Sequence, residues 1–162
     1  SGKTIEVINT DAEGRLILAD AVAYVCKNFK TDVLIDLATL TGNAIMALGN
    51  KAAVLVSPSD SLADQLFASG LYTTEKVWRM PHWDEYKDSL KSDIADLKNL
   101  AGSPKSGAIN AAKFIEVFTN NHPEWAHLDI AGTAFDDSEF GSMKSATGYG
   151  VRLLIHFLEG LK

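Results

Sequence analysis

Val33-Leu34-Ile35-Asp36-Leu37-Ala38 is a nearly unbroken apolar run bounded by polar and turn-forming residues. A half-exposed strand alternates apolar and polar residues, so a short continuous run such as this one predicts a strand covered on both faces. Thr39-Leu40-Thr41-Gly42 ends it, and the stretch 43–48 reads as a short helix closed by Gly49. Upstream, residues 4–8 read as a strand, and Leu16, Ala19, Val22, Ala23, Cys26 and Phe29 recur at helical spacing. Downstream, the pattern predicts a strand over 52–56, a helix over 61–69 capped by Ser59 or Asp60, and a strand over 77–80. A helix after Pro81 through Leu90, a loop over 99–107, a helix over 108–119, a strand over 127–130 and a final helix over 150–161 follow. The stretch 133–148 reads as a polar, Gly-rich loop. Such alternation of strands and helices predicts an α/β, three-layer sandwich with a mainly parallel sheet, whose sites lie where strands end.

The bulk composition narrows the function. A chain of 162 residues suits one domain, and 46% apolar content is that of a folded protein. The 21 acidic and 15 basic residues give a net charge of −6, with no basic stripe, which argues against nucleic acid or an anionic membrane as partner. No apolar run approaches the roughly 20 residues that span a bilayer, and the opening residues do not read as a signal peptide. One cysteine, Cys26, forms no internal disulfide and suits a reducing compartment, so the expected location is the cytoplasm. Cys26 itself reads as a small packed hydrophobe.

The segment richest in chemistry is Asn9-Thr10-Asp11-Ala12-Glu13-Gly14-Arg15-Leu16, between a strand and a helix. In an extended stretch, Asp11, Glu13 and Arg15 would share one face. Two carboxylates so close repel unless a cation lies between them, and oxygen ligands suit Mg²⁺, Mn²⁺ or Zn²⁺. Gly14 permits close backbone approach, and the helix start with the Arg15 guanidinium would make an anion pocket. The plain alternative is that the acidic residues cap the helix and pair with the arginine. Two carboxylates also leave a metal short of ligands.

Residues 9–16, NTDAEGRL, match the signature octapeptide of the leucyl aminopeptidase family without a change. DLATLTG at 36–42, VWRMP at 77–81 and WAHLDIAGTA at 125–134 resemble further family segments in family order. The resemblance implies a cytosolic two-metal exopeptidase that releases amino-terminal residues, leucine preferred, from peptides with a free amino terminus. It implies Asp11 as ligand to one of two divalent ions (Mn²⁺ or Zn²⁺), Glu13 as the ligand bridging both, and Arg15 as the catalytic arginine acting with a bound bicarbonate. Gly14 and Arg15 would form the anion site. Leu40 would contact substrate through its backbone, and Thr39, Gly42, Ala131 and Ala134 would line the pocket for the terminal side chain.

In the family, a lysine, two aspartates and a second catalytic lysine stand upstream of the octapeptide, and Lys3 lies in the wrong context to replace either lysine. The resemblance therefore implies the carboxy-terminal part of a catalytic domain, without the amino-terminal domain and the upstream catalytic segment. These residues alone would hydrolyse little. The family also implies a hexamer. Ser103-Pro104-Lys105-Ser106 departs from the Gly- and Arg-rich wording of the corresponding family loop. The competing function is a non-catalytic peptide-binding or assembly module that keeps the fold.

The remaining residues of note have plain readings. His82, His122, His127 and His156 show no i, i+4 pair, so a helical zinc-protease motif is absent. His127 reads as structural, and His122 and His156 as surface or helix-face residues. Asp93 and Asp96 suit a solvated loop or helix end, and Asp136, Asp137 and Glu139 a solvated loop. Trp78, Trp83 and Trp125 read as packing residues. No Gly-rich phosphate loop supports phosphoryl transfer.

Overall fold

The computed structural model describes residues 1–103, 105–138 and 141–161. In chain order the elements are β1 (Ile5–Glu6), α1 (Gly14–Asn28), β2 (Leu34–Ala38), α2 (Gly42–Leu48), β3 (Ala53–Val56), α3 (Asp60–Thr73) and β4 (Val77–Arg79), then β5 (Leu97–Lys98), α4 (Gly107–Glu116), β6 (Trp125–Asp129), β7 (Phe135–Ser138), β8 (Gly141–Ala146) and α5 (Val151–Gly160). Short 3₁₀ segments occupy Thr10–Ala12 and Asp84–Leu90.

The central sheet has the order β2-β6-β3-β4. β2 runs parallel to β6 and β3 parallel to β4, while β3 and β6 are antiparallel. β1 and β5 form a separate parallel pair. Parallel pairing thus dominates, in a sheet that is mixed.

Strand alternation sorts the side chains into two cores. Val54, Val56, Leu34 and Trp125 pack with Ala19 and Val22 of α1, Ala44 of α2, and Ala112 and Ile115 of α4. Ala53, Leu55, Ala126, Leu128 and Val77 pack on the opposite face with Leu62 and Leu66 of α3 and Leu153 and Phe157 of α5. The result is the expected α/β/α sandwich. Each fully buried Leu, Val or Phe in these layers contributes roughly 1.5–3 kcal/mol by leaving water.

Helix ends follow local chemistry. The Ser59 hydroxyl accepts the Leu62 amide at 3.1 Å and starts α3, and the Thr41 hydroxyl accepts the Ala44 amide at 3.1 Å and starts α2. Gly49 closes α2 at φ 62°, its amide bonded to the Ile45 carbonyl at 2.8 Å.

Several expectations need correction. The segment after Pro81 is a 3₁₀ turn, because Lys113 and Glu116 of α4 draw its polar side chains into ion pairs. The polar stretch 133–148 contains the antiparallel hairpin β7–β8, whose sequence lacks the branched apolar residues that announce strands. Asp136 and Asp137 belong to β7, and Glu139 lies outside the described residues. Trp125 is fully buried, as expected, but Trp78 and Trp83 are 56% and 65% exposed and pack only edge-on or by stacking against Phe67 and Tyr86. Cys26 packs against the first core, and burial raises its thiol pKa. No helix among the described residues is long and apolar enough to cross a membrane.

Candidate active-site cleft

The acidic turn is held from below by one buried side chain. Asn99, fully buried at the end of β5, accepts the Ile8 amide on Oδ1 at 3.0 Å and donates from Nδ2 to the Asn9 carbonyl at 2.7 Å. The Asn99 amide in turn bonds the Glu6 carbonyl at 2.9 Å. Beyond this clasp the chain does not stay extended, contrary to the expectation from alternation. The Asn9 side chain accepts the Asp11 amide at 2.8 Å, which turns residues 10–12 into a 3₁₀ turn. Glu13 then takes αR geometry (φ −76°, ψ −33°) as the N-cap of α1.

That turn still brings the three residues to one place. Asp11, Glu13 and Arg15 line a cleft of about 300 Å³. Gly14, Thr39, Leu40 and Gly42 line it as well, so the exits of β1 and β2 share one hollow. Asp11 and Glu13 are exposed, and neither carboxylate has a hydrogen bond or ion pair with a described residue. Glu13 occupies the cap position without making a capping bond. The plain helix-cap reading of this residue is therefore not realised.

Arg15 differs sharply from its acidic neighbours. It is 5% exposed, its Nη1 donates to the Asn99 carbonyl at 3.0 Å, and its buried Nε has no partner among the described residues. Burial pulls the guanidinium pKa below its ordinary value, and the negative charge of Asp129 opposes that pull. A buried donor without an acceptor is costly, and an anion would relieve it.

Asp129, at the end of β6, was not singled out by sequence reasoning. It is fully buried. Its Oδ1 accepts the Leu40 amide at 3.0 Å and the Ala131 amide at 3.2 Å, and its Oδ2 accepts the Thr41 hydroxyl at 2.7 Å.

The family model described as the cytosol aminopeptidase family, catalytic domain, matches residues 1–155. The chain belongs to the cytosol aminopeptidase family. A probable cytosol aminopeptidase of Chloroherpeton thalassium is 54% identical over all 162 residues, which make up 32% of that relative. One from Protochlamydia amoebophila is 51% identical over 99% of the chain and 32% of the relative. A solved tomato leucine aminopeptidase mutant superposes with a TM-score of 0.88 at 44% identity, covering 97% of this chain and 30% of that one. The chain spans about a third of the length of the curated relatives it matches.

Within this cytosol aminopeptidase fold, Ala131 and Ala134 lie outside the lining of the cleft, on the turn that follows β6. The Ala134 amide bonds the Ile130 carbonyl at 3.0 Å. Ala131 and Leu40 are nonetheless tied to the same Asp129 oxygen.

Among the described residues no three of His, Cys, Asp and Glu gather closely enough to hold a metal ion. Asp11 and Glu13, without partners among the described residues, offer oxygen donors of the type that hard divalent cations take, and two carboxylates cover only part of the coordination such an ion needs.

The histidines are all committed elsewhere. His127 is fully buried on β6, with Nδ1 2.5 Å from Asp36 Oδ1 on the paired residue of β2. Burial, the largest single influence, lowers its pKa, but the Asp36 carboxylate and the charge of Asp129 together raise it above its ordinary value. Trp125 Nε1 donates to the other Asp36 oxygen at 2.8 Å. His82 joins an ion cluster with Lys113 and Glu116, His122 meets Thr31, and His156 meets Ser69 and stacks on Tyr72.

Proposed function

We propose that this cleft is the carboxylate half of the active site of a metal-dependent leucyl aminopeptidase, working in the intact protein. The observation that carries the reading is the contrast inside one hollow. Among the described residues Asp11 and Glu13 are exposed and have no hydrogen-bond or ion-pair partner, while Arg15, two residues beyond Glu13, is buried with a free Nε. A merely structural trio would pair with itself.

In this reading Asp11 would hold one divalent ion and Glu13 both, and other ligands come from beyond these residues. Two such ions, Mn²⁺ or Zn²⁺, would supply Lewis acidity toward the scissile carbonyl, lower the pKa of a water, and anchor the free amino group of the peptide. Arg15 offers Nε, and Gly14 the start of α1, to an anion such as bicarbonate beside the carboxylates. The Leu40 backbone positions the peptide. Thr39 and Gly42, with Ala131 and Ala134 across the Asp129 bridge, leave apolar room for a leucine-sized terminal side chain. The expected setting is a cytosolic homohexamer acting on peptides with a free amino terminus.

The test is hydrolysis of leucine anilide by the intact protein with Mn²⁺ or Zn²⁺, and its loss on chelation. An intact protein that binds such peptides without cleaving them would favour the non-catalytic alternative. A polypeptide of residues 1–162 alone is expected to bind metal weakly and turn over little, and robust turnover by it would overturn the ligand assignment.

A further inference from the structure

We propose that Asp129 is the positioning residue of the cleft, joining the loop after β2 to the turn after β6 through its hydrogen bonds. The kinetic part of this inference rests on the aminopeptidase reading, and the loop-joining part does not.

The register sets up the arrangement. β2 and β6 pair in parallel with Ala38 opposite Asp129, so both strands end at the same level and both following segments leave side by side. One carboxylate then serves both. Its Oδ1 takes Leu40 N–H from one segment and Ala131 N–H from the other. Its Oδ2 takes the Thr41 hydroxyl, whose other role is to cap α2 through the Ala44 amide. The carboxylate thus fixes the backbone of Leu40, the residue expected to contact substrate through its main chain, the start of the helix behind it, and the turn bearing two candidate pocket residues.

The donors account for an aspartate here. Two amides use Oδ1 and a hydroxyl uses Oδ2, so both carboxylate oxygens accept, whereas an asparagine would keep one acceptor and turn a donor toward the Thr41 hydroxyl.

The experiment uses the intact protein with Asp129→Asn and Asp129→Ala. Hydrogen exchange is read in peptides covering 39–44, 130–134 and, as internal reference, 53–56. The kcat and KM for leucine anilide and the bound metal are read in parallel. Asp129→Asn keeps one acceptor oxygen for the two amides and loses the acceptor of the Thr41 hydroxyl. It is expected to leave exchange in 130–134 near wild type while exchange in 39–44 rises and KM increases about 3-fold or more at unchanged metal content. Asp129→Ala loses both acceptors, and exchange in 39–44 and 130–134 is expected to rise about 10-fold or more with 53–56 unchanged. Wild-type exchange in both loops of the alanine variant, or a rise that includes 53–56 equally, would overturn the joining role. Wild-type KM in both variants would overturn the positioning of the substrate-binding loop. A wild-type protein that cleaves no anilide would refute the aminopeptidase reading, and with it the kinetic role of Asp129, while the exchange results still decide the loops. If the alanine variant does not fold, Asp129→Glu replaces it, keeping the charge on a longer arm. Altered loop exchange is then required, and its absence counts against the proposal.

Discussion

The Asn99 carbonyl accepts the Arg15 guanidinium at 3.0 Å, while the side chain of the same asparagine clasps the chain at Ile8 and Asn9. One buried residue at the end of β5 thereby holds both ends of the acidic turn. The turn has no buried residue of its own, and its shape depends on this clasp.

Replacing Asn99 by alanine removes the partners of the Ile8 amide and the Asn9 carbonyl. The expected cost is about 2 kcal/mol, since buried or half-buried polar groups lose their bonds while water regains access to some of them. Urea unfolding of the intact protein checks this. The same variant should lose activity out of proportion to its stability, because the carboxylates move with the turn.

Glu116 makes acid sensitivity predictable. Burial works to raise its pKa, but hydrogen bonds from His82 and Lys113, with their charges, outweigh burial and bring it to about 2 from 4.5. A group whose folded value is depressed stabilises the fold above its unfolded value, and that contribution disappears as pH falls toward the folded value. The fold should therefore lose about 3 kcal/mol between roughly pH 4.5 and pH 2 from this residue. Stability measured against pH for wild type and Glu116→Gln should show a shallower acid limb in the variant. Parallel limbs would contradict the role given to the cluster.

Gly132 lies in the turn joined to Leu40 through Asp129. A Cβ on it would overlap the Gly49 carbonyl oxygen at the end of α2. Gly132→Ala must push two backbone segments apart, and overpacking of this kind costs about 1–3 kcal/mol. The lower melting temperature should come with weaker substrate binding, seen as a raised KM, if this turn borders the pocket.

Much of this was legible in the sequence, for reasons that differ by residue. The apolar run 33–38 and the helical spacing from Leu16 onward reflect burial directly, so the sandwich followed. The octapeptide marked Asp11, Glu13 and Arg15 as a group, although their convergence comes from a 3₁₀ turn and not from an extended face. Asp129 and Asn99 were not legible, because their importance lies in partners roughly ninety residues away in sequence, and a lone Asp at a strand end has no local signature. The hairpin 135–146 was missed because its polar residues follow neither strand nor helix period.

The central claim is that Asp11 and Glu13 hold divalent ions, and metal content tests it most directly. The intact protein and its Glu13→Ala variant would be dialysed against Mn²⁺ or Zn²⁺, counted for bound metal, and assayed on leucine anilide. The account predicts about two ions per subunit falling to one or none, with hydrolysis reduced on the order of 100-fold or more. Equal metal content and equal rate in the two proteins would contradict it.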